Sequence, residues 1–302
     1  MVDASELIGK FFGHVVEVLD VIREAYWAYR ASWRSVITAF LVILLIGIVF
    51  GIANFFIGLP RQFLCDSNNL IILLLFCIAP QLLQYILNFI NGLINLMVTM
   101  AVIKPLDEMA SGNKISEWAG HFSKQLVNSI LVMVFRAVVT IVCFAPAIIV
   151  LITNMSVLFA LGSLSKSNNS NLALFGDLVG GVLVAFGGLA VLIIVLIAGF
   201  IVLAILNFLL MFLEVEMILG KNGILQAGVK STKLVAGNFW DALIFSIVWY
   251  SIIGGLSMLT LLLMCTCAFC LMPLVSIIGS LILSPVELSS KIVLWRKLTK
   301  SG

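Results

Sequence analysis

The sequence predicts an all-α fold: a polytopic helical membrane protein with six transmembrane helices as three hairpins, accompanied by amphipathic interfacial helices. Of its 302 residues, 63% are hydrophobic and 10% are charged, whereas a soluble domain carries roughly 25% charged residues. The mean hydropathy is +1.24, and the shortage of charge extends along the whole chain. A soluble domain with one anchor is therefore excluded, and we predict a single membrane domain over residues 1–302.

The first predicted element is an amphipathic helix over residues 5–34. Charged residues are interspersed there with apolar residues spaced three or four apart, namely Leu7, Phe11, Val15, Leu19, Ile22 and Tyr26. This spacing places the apolar side chains on one helix face, and low net hydrophobicity is typical of a helix that lies in the membrane interface. The uncharged run at residues 36–59 is the first predicted span.

The second predicted span, residues 70–103, also contains no charged residue. As a helix it would measure about 51 Å, which exceeds a hydrocarbon core of about 30 Å. We therefore expect it to tilt, to bend at Pro80 or to project from the bilayer. The Lys104–Pro105 pair is predicted to end the helix, because proline disfavours the helical conformation at the residue before it.

Four further spans complete the three hairpins. They are predicted at residues 125–155, 189–213, 241–264 and 271–295. Glycines at positions 180, 181, 187 and 188 should interrupt the long apolar segment that precedes the fourth span. A second interfacial helix is predicted at residues 221–239.

The distribution of basic residues predicts the topology. Fourteen of the 17 Lys and Arg residues lie before span 1, between spans 2 and 3, between spans 4 and 5, or in the last turn of span 6 and beyond it. Cytoplasmic loops are enriched in Lys and Arg, so both termini should be cytoplasmic, in a multi-pass protein of the plasma membrane. The net charge of +3 gives no indication of a nucleic-acid partner.

A stripe of five primary amides is the most informative feature of the second span. Its members are spaced three and four residues apart and therefore share one helix face: Gln81, Gln84, Asn88, Asn91 and Asn95. Unpaired amides are costly in hydrocarbon, so the stripe must face water or other helices. It lines either a polar path through the membrane or an interhelical contact.

Arg136 is the second candidate, because it is a cation inside the third predicted span. An intramembrane arginine should face the bundle interior and have a partner. The predicted partners are amides and carboxylates at similar depth: Asn91, Asn95, Asn207, Glu214 and Glu216. Two interpretations stay open, an anion or lipid-headgroup site and a structural cation.

Three cysteines, Cys265, Cys267 and Cys270, cluster in a predicted external turn, on the same side as Cys65. A disulfide within this group is one interpretation, and packing by free thiols is the other. No histidine lies near the cluster, so we predict no metal site there. The sequence predicts no metal site or cofactor elsewhere in the chain either.

The segment after span 4 resembles an element of archaeal and bacterial six-span membrane proteins, in families similar to the membrane domain of glycerophosphoryl diester phosphodiesterases. The matching residues are Gly223, Ala227, Ser231, Leu234, Gly237, Asn238 and Phe239. The catalytic barrel of those phosphodiesterases is absent, so the resemblance implies a polytopic membrane protein and brings no catalytic residues.

The sequence contains no recognisable catalytic motif, and we expect the protein not to be an enzyme. The leading hypothesis is a non-catalytic membrane scaffold, an assembly partner or a lipid-interacting subunit. Its predicted partners are membrane lipids and either a second copy of the chain or a larger membrane complex. The alternative is a small-solute transporter or channel whose path is lined by the amide stripe and Arg136.

Overall fold

A computed structural model describes residues 4–64, 79–111, 117–165, 171–265 and 279–301. Every regular element in these ranges is helical, as predicted. The helices are α1 (Ala4–Leu64), α2 (Ala79–Ala110), α3 (Ala119–Phe122), α4 (Leu126–Ser165), α5 (Asn171–Leu209), α6 (Leu213–Ile218), α7 (Ile224–Gly237), α8 (Phe239–Cys265) and α9 (Ser284–Ser301). A 3-10 turn, Ser123–Gln125, precedes α4, and a π-helical turn, Gly279–Leu283, precedes α9.

Five described helical segments are long and apolar enough to cross a membrane. They are Val36–Gly58, Ala79–Met109, Ala119–Asn154, Gly187–Ile218 and Phe239–Thr260. The first five predicted spans overlap them, which confirms a multi-pass helical architecture, although residues 70–78 of the second predicted span lie outside the described residues. Of the sixth predicted span, residues 271–278 lie outside the described residues, so the described chain supports five spans and not the full count of six.

The predicted separation of the N-terminal helix from span 1 is wrong, although the span itself begins at Val36 as predicted. Helix α1 continues for 61 residues without interruption. From Val18 to Ala39 its buried residues are spaced three, four or seven apart, and Phe40 lies four residues after Val36, so one apolar face continues across the boundary: Val18, Val21, Ala25, Tyr29, Val36, Ala39 and Phe40. No glycine or proline lies between residues 14 and 46 to interrupt this face.

Two other predicted helix ends are also wrong. Helix α2 passes through Pro105 to Ala110, because the burial of Ile103 and Leu106 on either side of the proline outweighs its lost backbone hydrogen bond. Helix α5 runs unbroken through the glycine-rich stretch. It ends instead at Leu209, before a turn that leads into α6.

The described helices form two compact units. Unit 1 comprises Met1–Val132 and Met211–Gly302, and unit 2 comprises Met133–Leu210. In unit 1, α1 packs against α2, α8 and α9. The largest fully buried side chains include Phe212, Phe245, Met100, Ile103, Leu106, Leu213, Ile292 and Leu294.

Helix α9 is the element that closes unit 1. Ile292 and Leu294 are buried in the core, and Ser289 donates a hydrogen bond to the Ala25 carbonyl at 3.4 Å. Just before α9, the Tyr29 hydroxyl donates to the Leu281 carbonyl at 2.9 Å, and burial raises the pKa of this phenol. Helix α9 is thereby fixed against α1 on its apolar side.

Unit 2 is held by close contacts between α4 and α5. The rings of Phe144 and Phe200 meet edge to face, with centroids 4.9 Å apart. Asn154 donates to the Gly188 carbonyl at 3.1 Å, and a Cβ at position 188 would lie 2.5 Å from the Asn154 Oδ1. Glycine at this position therefore permits the interhelical bond.

Candidate functional site

Two members of the amide stripe join α2 to α1. Asn54 of α1 donates through Nδ2 to the Asn88 Oδ1 at 2.8 Å. Gln84 donates through Nε2 to the Asn54 carbonyl at 3.1 Å, beside the open face of Gly58. These bonds are interhelical contacts, and Asn54 is a partner that the sequence interpretation missed. The sequence does contain a signal for this contact: Asn54 and Gly58 are a polar and a small residue one helical turn apart, as is typical of a face that packs closely against another helix.

The other stripe residues bond within α2. Gln81 donates to the Tyr85 hydroxyl at 3.3 Å, and Asn95 donates to the Asn91 Oδ1 at 3.5 Å. The Oδ1 atoms of Asn54 and Asn95 are buried and accept no hydrogen bond from any described residue. Within the stripe, Gln84 and Asn88 therefore make interhelical contacts, whereas the Asn95 Oδ1 is a buried acceptor without a described donor.

Arg136 and Asn207 lie on exposed positions of α4 and α5 in unit 2. The Arg136 carbonyl accepts a hydrogen bond from the Thr140 hydroxyl at 2.8 Å. Of the groups named as its partners, Asn207 lies in unit 2 with Arg136, whereas Asn91, Asn95 and the two glutamates lie in unit 1. The pairing of Arg136 with these groups stays a prediction.

Glu216, on α6, is the most buried of the predicted site residues whose side chains the structure describes, with 6% of its surface exposed. Its Oε1 accepts from the Trp295 indole at 2.8 Å, and its Oε2 accepts from the Asn222 amide at 3.0 Å. Asn222 in turn accepts from the Lys230 ammonium at 3.1 Å. Hydrogen bonds from both sides offset the desolvation of the carboxylate. Glu214, on the same short helix, is only half-buried.

Arg296 of α9 binds the C-terminal turn of α2. Its Nε lies 2.6 Å from the Asp107 Oδ1, and its Nη2 donates to the Asp107 carbonyl at 2.6 Å and to the Ser111 hydroxyl. The Asp107 carbonyl also accepts from the Ser111 amide at 3.1 Å, so Arg296 adds a further donor there, and its charge opposes the negative end of the helix dipole. Arg296 therefore caps α2 and fixes α9 to it.

A pocket of about 420 Å³ lies within unit 1, at the end of α2. Its lining comes from α2, α3, the turn before α4, α4 itself, α6 and the segment after α6: Met100, Lys104, Asp107, Glu108, His121, Gln125, Asn128, Met217, Ile218, Leu219 and Lys221. One part of this lining is apolar and the other carries both signs of charge. The pocket lining thus combines apolar with charged and polar side chains, and we refer to the charged and polar members together as the polar rim.

The charges of the rim are not equally available. Asp107 is bound by Arg296, and the Lys104 ammonium lies 4.0 Å from the Glu108 carboxylate. Within the described part of the chain, Lys221 has no ion-pair partner. Its φ of 52° is the positive value that non-glycine residues rarely adopt. Because it lacks an ion-pair partner there, Lys221 is the cation of the polar rim that is most available to an anionic ligand.

The predicted disulfide group lies outside the described residues. Cys65, Cys267 and Cys270 fall in segments that the structure does not describe, and only the backbone of Cys265 is described, as the last residue of α8. Cys143, in α4, is a free, half-buried thiol.

No protein-family model, curated protein or solved structure matches this chain. The resemblance to the membrane domain of glycerophosphoryl diester phosphodiesterases stays a prediction.

Proposed function

We propose that the protein is a non-catalytic integral membrane subunit that binds lipid head groups in the pocket of unit 1. The observation that carries the proposal is the composition of this pocket. Met100, Met217 and Ile218 form its apolar part, and Lys221 with His121 belongs to its polar rim. A phospholipid presents the matching pair of surfaces, an apolar glycerol and acyl region next to a phosphate anion.

The position of the pocket along the helices supports this assignment. The pocket is lined from Met100 to Glu108 at the end of α2, where an apolar helix reaches charged residues. A membrane-spanning helix makes this change of composition where hydrocarbon gives way to head groups. The bias of basic residues assigns this end of the helices to the cytoplasmic side of the plasma membrane.

The ion pairs made by the acidic residues of the pocket favour binding over catalysis. The Asp107 carboxylate is occupied by Arg296, and Lys104 lies close to Glu108. A general base needs an accessible carboxylate near the bond that it acts on. The lining residues therefore suit recognition of a charged head group.

We expect Lys221→Gln to weaken binding of anionic phospholipid about fivefold. One Lys near a membrane surface contributes about 1 kcal/mol to attraction of anionic lipid. The measurement is the dissociation constant for a short-chain phosphatidylglycerol, by titration of the full chain in neutral detergent. Excess inorganic phosphate should not displace the lipid, because phosphate does not contact the apolar part of the pocket.

The matched control is Lys233→Gln. Lys233 is exposed on α7 and does not line the pocket, yet its replacement changes the net charge equally. Equal loss of affinity in both variants would contradict the proposal, because it would show attraction by overall charge. Displacement by phosphate alone would identify a free anion, and not a lipid, as the ligand.

A transport path is the second candidate function, and the buried Oδ1 atoms of Asn54 and Asn95 favour it. Buried acceptors are usually satisfied by water when protein donors are lacking. If water occupies this region, Asn88→Cys in a cysteine-free variant should react quickly with a membrane-impermeant thiol reagent. Phe89→Cys, also exposed on α2 but off the stripe, is the control. Equal protection of both positions would exclude a hydrated path there.

A further inference from the structure

We propose that His14, Glu17 and Asp241 form a binding site for a divalent transition-metal ion that links α1 to α8. One ring nitrogen of His14 and one carboxylate oxygen of each acid lie within 4.8 Å of one another. One imidazole and two carboxylates form a mixed nitrogen and oxygen donor set, which suits Zn²⁺ and similar ions better than Mg²⁺. The site is separate from the pocket and from the amide stripe.

The fold holds the three donors on rigid elements. His14 and Glu17 are three residues apart on α1, so their side chains share a face. Asp241 lies in the first turn of α8, which packs against α1 within unit 1. Donors carried by helices are held more precisely than donors on loops.

Two of the donors are already in direct contact. The His14 Nδ1 and the Asp241 Oδ1 are 2.6 Å apart, a hydrogen bond that an ionised carboxylate accepts from the Nδ1–H tautomer of the ring. A tetrahedral Zn²⁺ with bonds of about 2.0–2.2 Å separates its ligands by roughly 3.3–3.5 Å. Coordination through Nδ1 would therefore replace this shared proton, release it to solvent and open the contact by less than an ångström.

The donors are also accessible to an ion from solution. The side chain of His14 is 36% exposed, that of Asp241 18% and that of Glu17 55%. Three protein donors leave a coordination position for water, as in zinc sites that are open to ligands. The site is therefore placed to take up a metal after the chain has folded.

Replacing Lys297 tests the inference through an expected gain of metal affinity, whereas replacing a donor residue should cause a loss. Its ammonium lies 3.3 Å from the Glu17 Oε2 and so competes with a metal for the same oxygen. If the cluster is a metal site, Lys297→Met should increase Zn²⁺ affinity, because the competing cation is removed. If the cluster is only a polar contact between helices, the same change removes an ion pair and gives no gain in metal binding.

The experiment is a titration of the full chain in detergent micelles with Zn²⁺ and, separately, with Mg²⁺. We expect one Zn²⁺ per chain, at least tenfold weaker binding in His14→Ala and Asp241→Asn, and several-fold tighter binding in Lys297→Met. Asp20→Asn is the matched control, an exposed acid on α1 outside the cluster, and should bind as the unaltered protein does. Glu17→Gln should also weaken Zn²⁺ binding. It should leave the stability of the fold unchanged, because the Glu17 side chain is more than half exposed.

Co²⁺ provides an independent spectroscopic measurement. Bound to a nitrogen and oxygen donor set, it gives weak visible bands without the intense thiolate charge-transfer band that a cysteine ligand produces. Loss of these weak bands in His14→Ala supports the site. A thiolate band, or Zn²⁺ affinity unchanged in both His14→Ala and Asp241→Asn, would overturn the proposal, as would weaker binding in Lys297→Met.

Discussion

Replacing Arg296 by methionine should lower the free energy of unfolding by about 2–4 kcal/mol. Removing one partner of a buried ion pair costs about 3–5 kcal/mol, because the remaining charge is left desolvated. Here the side chains of Arg296 and Asp107 are 24% and 23% exposed, so solvent reduces this cost. The same substitution also removes one of the donors to the Asp107 carbonyl at the end of α2, where the Ser111 amide and hydroxyl remain. Both losses act on the contact between α9 and α2.

Thermal or denaturant unfolding of the purified protein in detergent would measure this effect. Lys300→Met is the control, because Lys300 is an exposed cation on the same helix and has no described ion pair. In the double variant Arg296→Met with Asp107→Asn, stability should partly recover, since no uncompensated charge remains. If Arg296→Met is as stable as the control Lys300→Met, the ion pair contributes nothing to the packing of α9.

The positions of the spans follow from composition alone. Long uncharged runs fix where helices cross the membrane, since charged residues are expelled from hydrocarbon. The helix ends are less predictable, because tertiary packing decides them. The burial of Leu106 beyond Pro105 extends α2, and a continuous apolar face carries α1 across the expected boundary.

The partners of polar residues were predictable only in part. The periodicity of the stripe indicated that Gln84 and Asn88 face a neighbour, and the structure identifies it as Asn54. The contact of Glu216 with Trp295 joins residues 79 positions apart, and that of Arg296 with Asp107 joins residues 189 apart. Neither pair leaves a local pattern in the sequence, so both contacts emerge only from the tertiary structure.

Gly220→Ala is the second substitution with a large expected effect, a loss of about 1–3 kcal/mol. A Cβ at this position would lie 2.6 Å from both the Glu216 carbonyl and its Oε2, and 2.5 Å from the Asn222 Nδ2. The amide of Asn222 can rotate away, but the Glu216 carbonyl belongs to the backbone of α6. Its displacement would disturb the last turn of that helix and the bond from Glu216 to Trp295.

Gly237→Ala is the control for this substitution, because a Cβ there meets nothing within 4 Å. It lies at the end of α7 and should leave stability unchanged or raise it by up to about 1 kcal/mol. Unfolding in detergent distinguishes the two variants. If Gly220→Ala is as stable as Gly237→Ala, the segment after α6 adjusts freely and does not hold Glu216. Lys221, the next residue, would then not be fixed at the pocket rim, and its unusual backbone conformation would contribute nothing to lipid binding.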